Sequence, residues 1–163
     1  MAAPENLHPE SWASFLNPDE ATLDRLQRSP AYVLVSVGTA WDTVGDGWEA
    51  LVVAPMERGL AALDALDLPL DCGHPVIADH ARNELIALVP GGTADRAAAA
   101  GPQGVRPLAA GAYLVVPHGP SGAFVAAWLS RPTIGAARYV DAFHLCAAVL
   151  DADARRGEHV PAC

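Results

Sequence analysis

Apolar and polar positions along this chain follow two different periods, and the switches between them mark out its elements. AYVLVSVG, from Ala31, is rich in β-branched residues and ends on glycine, which predicts a strand. EALVVAP, from Glu49, predicts a second strand stopped by Pro55. In MERGLAALDALDL the period changes: Leu60, Leu63 and Leu66 recur at helical spacing, so a helix follows that strand directly. PVIADH and ELIALVP are two short apolar runs separated by Ala81, Arg82 and Asn83, the pattern of a hairpin. GGTADRAAAAGPQG reads as a loop, VRPLAAGAYLVVP as an extended pair of segments closed by Pro117, and FVAAWLS as a further strand after the turn at Gly119, Pro120 and Gly122. TIGAARYVDAFHLCAAVLDADARR repeats Ile134, Tyr139, Phe143, Leu145 and Val149, predicting an amphipathic helix packed across the sheet. Ahead of these, NPDEATLDRLQRS sets Leu23 and Leu26 on one face with acids in the first turn, a short capped helix ended by Ser29 and Pro30.

The order helix, strand, strand, helix, hairpin, strands, helix predicts an α+β fold, a single domain with a mixed or antiparallel sheet and helices packed on it. Residues 1–30 form a helical lead-in and residues 31–163 the domain proper. A chain of 163 residues, 52% hydrophobic and 18% charged, has apolar surface enough for one core. Much of that apolar content is alanine, so the Val and Leu runs and the few aromatics must supply most of the burial. The balance of 19 acids against 10 bases, all of them arginine, disfavours duplex DNA, whose binders neutralise phosphates with basic side chains. No run approaches the roughly 18 apolar residues of a membrane helix, and the amino terminus lacks a basic leader, so the expected location is cytoplasmic. The lysine-free, Ala-, Arg- and Pro-rich composition points to a high-GC bacterium.

Candidate chemistry is sparse. Asp42 and Asp46, followed by Glu49, are the densest carboxylates before an apolar run, but Gly45 and Gly47 mark a turn there, and a solvated loop is favoured over a metal site. Cys72, Cys146 and Cys163 are too widely spaced for a zinc knuckle or a disulfide framework. Cys72, His74 and His80 do not have a zinc spacing, and Asp79 is expected to point away from the two histidines. His144 reads as a packed or half-exposed helix residue. Pro90-Gly91-Gly92-Thr93 lacks the lysine of a phosphate loop and reads as a turn, while Ser121 lacks the strand-to-helix elbow of a nucleophile.

Three segments, in order, resemble the amino-terminal catalytic domain of the bifunctional DNA primase/polymerase (prim-pol) family. EALVVAPMERGLAAL is similar to its strand and helix around D-x-D; PVIADHARNELIALVPGG is similar to its hairpin carrying a Gly-Gly-x-His segment. GVRPLAAGAYLVVPHGPSG resembles G-V-D-V-R-G-x-G-G-Y-V-V-x-P-P-S, with Gly104, Val105, Gly111, Tyr113, Val115 and Pro117 in step. The resemblance spans residues 31–130 and implies a palm-like fold whose D-x-D pair and later Asp hold two divalent cations for nucleotidyl transfer. Carried onto this chain, the D-x-D positions are Val53 and Pro55, the later Asp is Arg106 and the nucleotide-contacting His is Glu84.

The resemblance therefore implies a palm without its metal ligands: no catalytic residue, no metal, no cofactor. The expected function is binding or regulation through a protein partner or self-association. One alternative is a small enzyme with a new site built from Glu84, Arg106 and His118, acting on a small anionic substrate. Another is non-catalytic binding of a nucleotide or single strand, with Tyr113 or a tryptophan stacking on a base. The register of the resemblance implies that Glu84 and Arg106 form an ion pair on one sheet face near Val53, with His118 at the rim of the cleft.

Overall fold

The computed structural model describes residues 20–21, 32–36, 47–68, 73–108, 112–117, 125–130 and 138–158. The strands are β1 (Tyr32–Ser36), β2 (Trp48–Val53), β3 (Val76–Asp79), β4 (Glu84–Pro90), β5 (Val105–Pro107), β6 (Tyr113–Pro117) and β7 (Ala126–Ser130). Among the described residues, and beside the helical pair Glu20 and Ala21, the helices are α1 (Met56–Ala65), α2 (Ala94–Ala99) and α3 (Ala142–Glu158). The fold is α+β: a five-stranded antiparallel sheet, ordered β5-β2-β4-β3-β7, carries the three helices, and β1 and β6 form a separate antiparallel ribbon.

Strand alternation divides the apolar residues into two cores. Leu51, Val53, Val76, Leu85, Ala87 and Val89 face the helices, meeting Ala62 and Leu63 of α1, Ala94 and Ala97 of α2, and Leu145, Cys146 and Val149 of α3. Trp48, Ala50, Val52, Ile77, Ile86 and Leu88 face the other way and pack against Leu114, Val115 and Val116 of the ribbon. Both faces of β2, β3 and β4 are thus covered, which is why these strands read as continuous apolar runs. Trp128 on β7 donates its indole N–H to the Pro117 carbonyl at 2.9 Å, tying the ribbon to the edge of the larger sheet.

The helix face depends on close approach. A Cβ at Gly59 would stand 2.7 Å from the Leu85 Cβ, so glycine lets α1 settle onto β4. Arg58, one residue earlier, makes a two-pronged pair with Asp153 of α3 (Nε to Oδ1 3.0 Å, Nη2 to Oδ2 2.6 Å). Its Nη1 donates to the carbonyls of Ala54 and Gln103, at 2.7 and 2.8 Å. One side chain thereby fastens two helices, the end of β2 and the turn into β5. Hydrogen bonding to Arg58 holds the Asp153 carboxyl below its ordinary range, and the same contact raises Arg58. Asp141 caps α3 by accepting the His144 N–H at 2.9 Å.

Three expectations change. The stretch read as a loop after Pro90 contains α2, because its alanines find buried places under the sheet edge. The carboxyl-terminal helix begins at Ala142, so Tyr139 precedes it, and Phe143 is exposed beneath the Arg96 guanidinium; the buried stripe is Ala142, Leu145, Cys146, Ala148, Val149 and Ala152. Val53 faces the helices, and the residue of β2 that shares a face with Glu84 and Arg106 is Val52. One step along a strand exchanges the faces. Of the expected amino-terminal helix only Glu20 and Ala21 lie within the described residues, and both are helical.

Candidate functional site

On the ribbon side of the large sheet, β6 leaves a cleft of about 310 Å³ uncovered, lined by Val52, Ile86, Leu108 and Val115 below and by Asp79, Arg82, Glu84, Arg106, Ala112 and Tyr113 around it. The antiparallel registers bring these residues together. Arg106 stands opposite Val52, Val52 opposite Ile86, and Asp79 opposite Glu84 at the hairpin end. Glu84, two residues from Ile86 on β4, therefore shares its face, and the Arg106 side chain reaches it across the end of β2. The Nη2 to Oε1 distance is 2.8 Å.

A second pair sits beside it. Asp79 accepts the backbone N–H of Arg82 at 3.1 Å and its Nη1 at 3.0 Å, so one carboxylate both closes the hairpin turn and holds the arginine. Asn83 supplies the left-handed residue of that turn, with φ of 55°. Burial within the two pairs is unequal. Asp79 is 1% exposed and the Glu84 side chain 14%, while the side chains of Arg82 and Arg106 are 60% and 49% exposed. The charge that solvent meets is therefore positive, although each acid balances one base. Tyr113, 60% exposed, stands at the rim as an unsheltered aromatic face.

Of the residues expected in the cleft, Glu84, Arg106 and Tyr113 line it, and His118 lies outside the described residues. Asp79 and Arg82 were not expected there. Asp79 closes an apolar strand three residues before an arginine, the pattern of an acid that organises its own turn. Asp42, Asp46, Cys72, Ser121 and Cys163 also lie outside the described residues. Glu49 is on the helix face, where its Oε2 accepts the Ala94 N–H at 2.8 Å at the start of α2. That carboxylate serves as a cap on the far side of the sheet from the cleft.

The remaining candidates have structural partners. His74 Nδ1 lies 2.9 Å from the Arg138 carbonyl, and His144 is exposed beside Asp141. Cys146 is buried against α2, and burial pushes its thiol pKa up. The Pro90–Thr93 turn packs against Gly47, with Thr93 Oγ1 donating to the Pro90 carbonyl at 2.6 Å. Among the described residues no three His, Cys, Asp or Glu side chains converge, and no helix is long and apolar enough to cross a membrane.

Compared with models of protein families, with curated proteins and with solved structures, the chain has no match.

Proposed function

We propose that this domain is a catalytically inactive relative of the prim-pol palm, kept as a binding or regulatory module. The observation that carries this reading is the Glu84–Arg106 ion pair, 2.8 Å long, on the open face of the sheet. If the Val52 face is the palm face, the D-x-D positions become Val52 and Ala54 in place of Val53 and Pro55. Either register leaves no carboxylate on β2 at that site, and Arg106 keeps the place of the later Asp. A two-metal centre needs converging hard oxygen ligands. Here the two acids of the cleft are engaged by guanidinium groups, and a cation entering would have to displace both.

The partner is a protein or a second copy of this chain, since a net charge of -9 opposes a polyanion over the whole surface. Template-directed primer extension with magnesium or manganese is the test. The proposal expects no synthesis by the purified protein, and synthesis abolished by Glu84→Gln would end it. Binding of a small ligand in the cleft is a second reading, favoured by the exposure of Tyr113 and the two arginines.

A further inference from the structure

We propose that the cleft binds a small organic oxyanion, a carboxylate or a phosphate monoester carried on an aromatic body, and that it does so without a metal ion. The inference rests on the non-catalytic reading above and names the ligand of the same cleft.

The sign of the ligand follows from which charges are reachable. Asp79 and Glu84 lie behind their arginines, at 1% and 14% exposure, whereas Arg82 and Arg106 present about half of each side chain or more to solvent. A guanidinium carries five donors. Among the described residues Arg106 gives one of them to Glu84, through Nη2, and Arg82 gives one side-chain donor to Asp79, through Nη1. Among the described residues the other edges of both forks meet no further acceptor, and the carboxylates hold the forks in place before any ligand arrives. A ligand oxyanion then gains charge-assisted hydrogen bonds without first ordering two long side chains.

The body of the ligand follows from the rest of the lining. Val52, Ile86, Leu108 and Val115 make an apolar floor, and Tyr113 offers a ring at the rim. About 310 Å³ lies at the small end of the range for ligand pockets, room for one ring and its acid group. The chain's net charge of -9 does not exclude such a ligand. At physiological salt, exposed charges beyond roughly 8 Å are screened, so a single small anion responds chiefly to the arginines it touches.

The test is calorimetric titration of the purified protein with benzoate and with phenyl phosphate, without divalent metal, beside benzyl alcohol as the uncharged body and inorganic phosphate as the bare anion. At least one of the two aryl oxyanions is expected to bind at least about tenfold tighter than either control, and their order tells carboxylate from phosphate. Arg82→Gln combined with Asp79→Asn, so that no buried acid is left unpaired, should weaken that ligand about tenfold, the loss of one charge-assisted contact. Tyr113→Ala should weaken it about three- to tenfold, the loss of a ring contact. The paired change Glu84→Gln with Arg106→Gln tests the second fork without stranding a buried acid. Arg155→Gln, at the far end of α3, removes the same charge and should change nothing.

Affinity indifferent to Arg82 and Tyr113, or equal for benzoate, phenyl phosphate and benzyl alcohol, would overturn the inference. Failure of both aryl oxyanions to bind, with no metal-dependent binding of a deoxynucleoside triphosphate either, would remove this ligand and leave the inactive-palm reading standing. Magnesium-dependent binding of the triphosphate, lost in Glu84→Gln, would overturn both.

Discussion

Arg58 and Arg106 lie on opposite sides of the same sheet and do different things with the same functional group. Arg58, on the helix side, commits four hydrogen bonds to Asp153, Ala54 and Gln103, and only 15% of its side chain is exposed. Arg106, on the ribbon side, is half exposed and gives one bond to Glu84. The first guanidinium gives four of its five donors to the protein and holds the fold; the second, among the described residues, gives one. What separates a structural arginine from a binding one here is the number of donors left over, which the presence of an ion pair does not reveal.

If that distinction is sound, the two arginines should fail differently when replaced. Arg58→Met should cost about 2–4 kcal/mol of stability, near the range for breaking a buried pair, and urea unfolding monitored by circular dichroism measures it. The loss should depend on pH. Because Arg58 depresses the Asp153 pKa, the stabilisation is fully present above the unfolded carboxyl value of about 3.9 and is lost as pH falls through the folded value. The gap between wild type and Arg58→Met should thus be constant near neutrality and narrow below about pH 4. A gap unchanged down to pH 2 would mean that the pair does not carry the loss.

Gly59→Ala tests the closeness of α1 to β4. The new Cβ meets Leu85 at 2.7 Å, and overpacking of about 1–3 kcal/mol should outweigh the gain of up to about 1 kcal/mol in helix propensity. A stabilised variant would show that the helix sits farther from the strand. Asp141→Ala should cost about 1 kcal/mol through loss of the α3 cap, with no change at the cleft.

A stability effect as small as the loss of that cap belongs to the cleft. Arg106→Leu should cost about 1 kcal/mol, because the arginine is half in solvent while Glu84 is left partly buried and unpaired. Glu84→Leu combined with Arg106→Leu should recover most of that loss. A loss from Arg106→Leu as large as that from Arg58→Met would erase the comparison.

Much of this was legible in the chain because strands covered on both sides leave continuous apolar runs. EALVVAP and ELIALVP announce β2 and β4, while the meeting of Glu84 and Arg106 is an expectation from the prim-pol resemblance, whose ligand positions they occupy. What failed to show was the face. In a run apolar on both sides no polar residue marks which side is which, so nothing in EALVVAP corrects the resemblance, which places Val53 where the structure has Val52. α2 was missed because ADRAAA has no large apolar residue, and only the sheet edge and the Glu49 carboxylate make it a helix. Asp79 was missed because its roles, closing a turn and holding Arg82, arise from hairpin geometry.

The central claim is that the acids of the cleft serve its arginines and not a metal. Manganese titration followed by electron paramagnetic resonance tests this most directly, since bound and free ions give distinct signals. The account predicts no micromolar site in the purified protein at neutral pH and no difference between wild type and the pair Asp79→Asn and Glu84→Gln. A micromolar manganese site that disappears in that pair would contradict it, and would mean that the arginines yield their carboxylates to a cation.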